Sequence, residues 1–413
     1  MSLIDLLDDR SAWEDFFCYK KDKGHLSRQD EQTLSALIES EAYIPLAQFI
    51  KQGSALSPPQ KILINKLGTA KKRVVYSYGL EEMWILKLLA WLLYQFDEKQ
   101  PEGCYSFRRN LGAHRAFRDM ARTPGINGLW CCKLDISDYF NSIQIPQMLR
   151  ILKDLLAEDE ELCAFFEQLL SADTAYLDGV LLNEKRGVMA GTPTAPFLAN
   201  LYLRSLDEWF VGRGLPYARY SDDIIIFAGS KDEIELCRDN AKRIISEHGL
   251  SINREKEYLS APGEAWEFLG MSYHGGVIDL SEATKAKLKG KIRRKARALR
   301  RWMQRKEASA ERAQRAFIRS FNQKFFEAHD ANDLTWARWF FPLITTSSGL
   351  REIDHYLQQY IRYIATGRFN AGNYHLEYQD IKAMGYRSLV HEYYLSRKDR
   401  FARPEEAMAA AQE

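Results

Sequence analysis

Two short apolar segments that close on a pair of acids constrain this chain more than any other feature in it. Tyr217-Ala218-Arg219-Tyr220 and Ile224-Ile225-Ile226-Phe227 are rich in β-formers, and only Ser221-Asp222-Asp223 stands between them. Apolar strands around so short a polar link predict a tight antiparallel hairpin with its carboxylates at the tip. Alone, the string also fits an ordinary surface turn, because Asp is a common turn residue. A second acid decides. In Lys133-Leu134-Asp135-Ile136-Ser137-Asp138-Tyr139-Phe140 an apolar strand ends at Asp135 and turns into a helix. A lone Asp at a strand end more often caps a helix than binds a metal. Together the two sites can bring carboxylates from neighbouring strands to one point. Two magnesium ions about 3.5–4 Å apart, bridged by such carboxylates, activate a hydroxyl and stabilise the leaving oxygen in phosphoryl transfer. Magnesium suits the role because it accepts a few carboxylates and leaves its other positions to phosphate and water. The candidate catalytic residues are Asp135, Asp222 and Asp223, and the candidate metal ligands are these three with Ile136.

The rest of the chain sets the setting for this chemistry. Its 413 residues, 46% of them apolar, are enough for two or three domains with a sizeable core. The longest apolar run, Trp84 to Tyr94, is interrupted by Lys87 and falls short of the roughly 20 residues that cross a bilayer, so no membrane partner is expected. The acidic start, Met1 to Arg10, lacks the basic opening and small-residue cleavage site of a signal peptide, which implies a cytoplasmic protein. Six cysteines form no C-x-x-C pair and eight histidines no i, i+4 pair, so zinc is not expected and reduced thiols are. The net charge of +2 is uninformative, but its distribution is not. Twelve Lys and Arg and no acid lie between Lys285 and Lys306, whereas Glu158 to Glu161 reads as a solvated acidic helix face. Short β-rich segments at 129–134, 217–220, 224–227 and 268–278 alternate with helices, and from Ser281 the pattern is helical. Mixed α and β is the expected class.

Over residues 60 to 300, five segments in order resemble the successive motifs of reverse transcriptases. Asp135 matches the first palm aspartate, and Asp222 with Asp223 the Y-x-D-D pair. Gly191-Thr192-Pro193-Thr194-Ala195-Pro196-Phe197-Leu198-Ala199-Asn200 resembles the loop and helix under the templating base and incoming nucleotide. Gly249-Leu250-Ser251-Ile252-Asn253 with Lys256 resembles the motif whose lysine lies near the triphosphate, and Phe268-Leu269-Gly270 the hairpin that grips the primer end. By position, Phe140 matches the aromatic that closes against a ribose 2′-hydroxyl, with a buried core Phe as the plainer reading. Arg73, with Lys66 or Lys72 as helpers, matches the finger residues that hold the triphosphate, a task suited to the fixed fork of arginine. Arg108 and Arg109 resemble the F-R segment of the fingers, where either template contact or an internal ion pair is open. One departure stands out: Ala190, before Gly191, occupies the place of a glutamine expected near the incoming nucleotide, which puts strict templating in question.

The resemblance implies an α+β right-hand polymerase with fingers, palm and thumb. Residues 1–60 would form a helical N-terminal extension, 61–280 fingers and palm, 281–320 a basic helical thumb and 321–413 a helical C-terminal domain. It implies two magnesium ions, with manganese as a substitute, deoxynucleoside triphosphates as substrates, an RNA template and a DNA product. Lys291, Arg294 and Arg297 in the thumb would track the phosphates of an A-form hybrid. The N-terminal extension and the tail segments, such as Tyr360 to Arg368 and Gly385 to Val390, look like the defence-associated bacterial group formerly called "unknown", and within it the second type, a lone polymerase working with a neighbouring structured non-coding RNA. A relative that adds nucleotides without a template or starts on a protein hydroxyl, and a non-enzymatic RNA-binding scaffold, are the alternatives.

Overall fold

The computed structural model describes residues 1–23, 26–65, 72–184, 187–327, 335–369 and 375–402, the last four by backbone alone. The chain divides into two compact units, Met1–Pro262 and Gly263–Glu413.

The first unit is organised on a four-stranded antiparallel sheet. Its order is β6 (Tyr217–Tyr220), β7 (Asp223–Ala228), β3 (Trp130–Asp135), β8 (Tyr258–Ser260). The central strand β7 is buried from Ile224 to Ala228, which is why its sequence is continuously apolar rather than alternating. The helix Lys231–Glu247 packs against β7 and β3. It starts where the Ser230 side chain accepts a hydrogen bond from the Glu233 amide, the usual way to satisfy an orphan N–H at a helix start. A second sheet, ordered β2 (Lys72–Ser77), β1 (Gln60–Asn65), β4 (Thr174–Leu177), β5 (Val180–Asn183), flanks the loop 187–192. The N-terminal helices share the core of this unit: Leu7, Trp13 and Phe16 are buried in one cluster with Trp84, Leu134 and Ile224. Asp159 fastens the N-terminus, accepting from Ser2 Oγ at 2.6 Å and the Leu3 amide at 2.9 Å.

The second unit opens with the meander β9 (Trp266–Phe268), β10 (Met271–His274), β11 (Val277–Leu280). Long helices follow, among them Glu282–Arg305, Ala310–Phe326 and Ser348–Thr366. Leu288, Ile292 and Ala296 form the buried stripe of the basic helix, four residues apart as one helix face requires. The meander belongs here because Asp279 accepts from the Gly349 amide at 2.9 Å and so caps the helix Ser348–Thr366. The aromatic stretch of the tail supplies this unit's core: Phe317, Phe321, Phe325, Phe340, Phe341, Tyr360, Tyr386 and Tyr393 are all buried. No helix among the described residues is long and apolar enough to cross a membrane.

Candidate active site

Strand pairing assembles the acids. In the β3–β7 ladder Asp135 stands directly opposite Asp223, and Tyr220 pairs with Asp223 across the β6–β7 hairpin, leaving Ser221 and Asp222 as a two-residue connection. Hairpins this tight demand a left-handed residue, and Ser221 supplies it at φ +60°. A serine there is strained by about 1–2 kcal/mol unless its surroundings hold it. The Ile136 amide donates to the Asp222 carbonyl at 3.1 Å, and the Asn253 amide to the Asp135 carbonyl at 2.7 Å, so both acid-bearing backbones are tied together.

The side chains lie in a field of unequal compensation. Asp135 is 3% exposed and meets Lys256 Nζ at 2.6 Å, with Asn253 Nδ2 at 3.3 Å. Asp223 is paired more loosely, with Lys133 at 3.6 Å. Burial, then the charge of Asp223, pushes the Asp222 carboxyl above its ordinary range. Burial likewise raises Asp223, and Lys133 opposes the shift only in part. For Lys256, burial pulls the pKa down but the hydrogen bond and charge of Asp135 more than offset it, so the ammonium is strengthened. Among the described residues no three His, Cys, Asp or Glu side chains stand as a ready-made metal cluster. Asp135 instead faces Lys256, a monovalent cation near the place a metal would take. The donor set nevertheless fits magnesium: hard oxygen ligands, under-compensated negative charge, and a buried Ile136 whose backbone carbonyl is its one oxygen donor.

The other sequence candidates divide. Phe140 is half-buried and meets Phe107 edge-on at 6.4 Å, while Phe107 meets Tyr220 at 6.1 Å, so one aromatic group joins the hairpin to the segment after Asp135. Met189 to Thr192 is clamped to β2: the Ala190 carbonyl accepts from the Tyr76 amide at 2.7 Å. Gly191, at φ +102°, lies so close that a Cβ would meet the Tyr76 carbonyl at 2.9 Å. Arg73 is exposed on β2 of that same clamp; Lys66 lies outside the described residues. Arg108 is an internal staple, donating to the carbonyls of Asp97, Pro101 and Cys104 at 2.8, 2.8 and 3.0 Å. Arg109 lies over the rings of Tyr19, Trp91 and Tyr94.

In the second unit, Phe268 is fully buried, and Leu269 and Gly270 turn the β9–β10 hairpin at φ +50° and +86°. The Gly270 carbonyl accepts from the Ser281 amide and Thr284 Oγ1, at 3.0 and 2.8 Å, which joins the turn to the start of the basic helix. Arg294 and Arg297 are exposed on that helix, whereas Lys291 is half-buried, its pKa lowered by burial and then by Lys324. Lys285 and Lys289 both pair with Glu352, so part of the cationic run is neutralised within the unit.

Residue-level reading missed a buried network beneath the hairpin, formed by Arg219, Asp207, Asn200, Ser106 and Tyr217. Its sequence signal is slight: a lone charge, Arg219, set within the strand Tyr217-Ala218-Arg219-Tyr220.

A sheet that carries one acid at a strand end and two in the facing hairpin defines a nucleotidyl-transfer palm. The reverse transcriptase (RNA-dependent DNA polymerase) family matches residues 64–273, just over half of the chain, and the chain belongs to that family, with its right-hand polymerase fold. It is 25% identical over 234 residues to the retron Ec86 reverse transcriptase of Escherichia coli, covering 55% of this chain and 67% of that one. To the retron Mx65 reverse transcriptase of Myxococcus xanthus it is 28% identical over 176 residues, 40% of this chain and 41% of the other. To the retron Ec73 reverse transcriptase of Escherichia coli it is 25% identical over 213 residues, 48% and 65%. The chain thus spans between 41% and 67% of these relatives' lengths. A telomerase from Candida tropicalis, truncated from its C-terminal domain, aligns over 55% of this chain and 56% of that one at 14% identity and a TM-score of 0.44.

Proposed function

We propose that the chain is a magnesium-dependent RNA-directed DNA polymerase that copies a structured non-coding RNA held by the same protein, in the service of anti-phage defence. The observation that carries the polymerase reading is the register of Asp135 opposite Asp223 with Asp222 at the adjoining turn. Asp135, Asp222 and Asp223, with the Ile136 carbonyl, would hold magnesium, which on binding supplies charge neutralisation for the phosphates and activation of the primer hydroxyl. The protein's own groups do the rest. Lys256, paired with Asp135 at 2.6 Å, would be the cation left available to the triphosphate if that carboxylate were engaged by metal. Arg73 offers a forked donor for the same phosphates, and Phe140 presents a flat wall at the sugar. The clamp from Ala190 to Tyr76 fixes the loop in front of the helix Ala195–Tyr202 without any glutamine side chain.

Likeness to retron reverse transcriptases supports the copying of RNA into DNA, and the resemblance of the tail segments to the defence-associated group supports the defence role. The test is deoxynucleotide incorporation by the purified protein with and without magnesium, followed by sequencing of copurifying RNA and of the product. A product complementary to one bound RNA is expected. A product unrelated to any bound RNA, which Ala190 would favour, would replace templated copying by untemplated or protein-primed addition. Unchanged phage plating in cells carrying Asp222→Ala, Asp223→Ala would remove the defence role.

A further inference from the structure

The structure assigns Arg219 and Asp207 a positioning role: we propose that this buried pair, through Ser221, sets the angle at which the hairpin presents Asp222 and Asp223 to metal. The inference rests on the reading of those acids as metal ligands and goes beyond it by naming what aims them.

Both partners are fully buried, Arg219 on β6 and Asp207 on the helix Arg204–Val211. Arg219 Nε donates to Asp207 Oδ1 at 2.7 Å, and Tyr217 Oη donates to the same oxygen at 2.8 Å. Arg219 Nη2 reaches Asp207 Oδ2, the Asn200 carbonyl at 3.1 Å and Cys104 Sγ at 3.3 Å. Arg219 Nη1 points at the Ser221 carbonyl, 3.5 Å away. From the other side, Ser106 Oγ accepts from the Ser221 amide at 2.9 Å and donates to Asn200 Oδ1 at 2.8 Å. Asn200 Nδ2 returns to the Ser106 carbonyl at 2.6 Å.

Ser221 is the strained residue of the turn, and its amide and its carbonyl both face this one network. A salt bridge meant only for stability has no need to address the one left-handed residue of an active hairpin, since buried pairs are often no better than apolar packing. Partners that orient metal ligands, by contrast, commonly change metal affinity by about 10- to 100-fold when removed.

The experiment compares the full-length parent with Arg219→Lys, which keeps the charge and loses the fork, and Ser106→Ala, which removes one hydroxyl. Manganese binding is read by electron paramagnetic resonance, the magnesium midpoint by nucleotide incorporation, and hairpin exposure by hydrogen exchange over Tyr217 to Asp223. Expected are a metal affinity weakened by about 10-fold or more in Arg219→Lys and several-fold in Ser106→Ala. The magnesium midpoint should rise to match, hairpin exchange should quicken, and the KM for deoxynucleotide should hold. Variants that melt earlier yet match the parent in manganese affinity and magnesium midpoint would show a merely structural pair and overturn the inference. Should Arg219→Lys fail to fold, Ser106→Ala decides alone. A parent that binds no manganese would overturn the metal-site reading and this inference with it. A parent that binds it alongside indifferent variants overturns this inference only.

Discussion

As the proposed metal ligands, Asp222 and Asp223 carry opposed demands, since that role would need them ionised while folding buries them with too little positive charge. Burial raises both pKa values, so the folded, metal-free protein holds protons that the unfolded chain has already released. Wherever the folded state binds more protons, stability falls as pH rises. The metal-free protein is therefore expected to lose stability as pH climbs from the ordinary carboxylate range through the raised pKa values. Asp222→Asn should then raise Tm at neutral pH, and the gain should vanish on acidification below that window. Thermal melts in chelator across pH 4 to 8 check this, and a lower Tm for Asp222→Asn at pH 7 would contradict it. The same variant should lose nearly all incorporation. Phe140 offers a separate test. Its half-buried ring is braced by Phe107 and Tyr139 at 6.4 and 5.7 Å, which makes it a wall rather than a loose side chain. Phe140→Ala should reduce preference for deoxynucleotides over ribonucleotides by about 10-fold or more, the scale on which pocket shape discriminates small groups. An unchanged preference, measured as the ratio of kcat/KM values, would leave Phe140 as core packing alone.

Elements differ in how much of them could be read from the chain. The β6–β7 hairpin and the end of β3 were legible because short runs of apolar β-formers and tip acids are local signals. The network that seats the hairpin was not, since Ser106 and Asn200 meet across 94 residues of chain. Nor was the attachment of β9 to β11 to the C-terminal unit, which rests on Asp279 meeting Gly349 some 70 residues on. The basic helix shows both sides. Its cationic face was plain in the sequence, but the pairing of Lys285 and Lys289 with Glu352 arises only in the fold. Arg294 and Arg297 remain exposed. If they touch phosphates, Arg294→Gln with Arg297→Gln should lower the slope of log affinity against log salt by about 0.7–0.9 per lost contact. An unaltered slope in RNA titrations would mean a solvated face. A second element-scale prediction concerns Asp354, which is buried and accepts from Tyr386 Oη, Ser388 Oγ and the amides of Leu389 and Val390, at 2.6 to 3.0 Å. It caps the helix Leu389–Ala402 from a distant helix. Asp354→Ala leaves four donors without their acceptor and should cost about 3 kcal/mol in urea titration, given about 1–3 kcal/mol for each buried unsatisfied group.

At the scale of the whole molecule the open question is selectivity, because cations that track phosphates bind any RNA, whereas copying one RNA requires choosing it. The aromatic tail is the natural place to look, yet most of its rings are committed to the core of the C-terminal unit. Arg362, too, is engaged: it is half-buried and donates to the Leu376 carbonyl at 2.9 Å, so changing it should destabilise the unit rather than alter RNA choice. What the tail does present outward is Phe369, Tyr378 and Tyr394, 59%, 41% and 50% exposed, with Arg368 beside the first. Flat rings on a surface suit unstacked bases of a folded RNA, each such stack contributing about 1–3 kcal/mol. Docking through these residues predicts that Phe369→Ala with Tyr394→Ala broadens the set of RNAs recovered with the protein. Total RNA affinity should change little if the exposed cations carry it, whereas Tm should fall modestly, because Phe369 stacks on Tyr363 at 4.9 Å and Tyr394 Oη meets Ser347 Oγ at 3.2 Å. The measurement is crosslinking and sequencing of bound RNA from parent and variant, with melts as the control. Crosslinks absent from the tail, together with one and the same RNA recovered from both proteins, would place selection elsewhere and leave the tail a structural element.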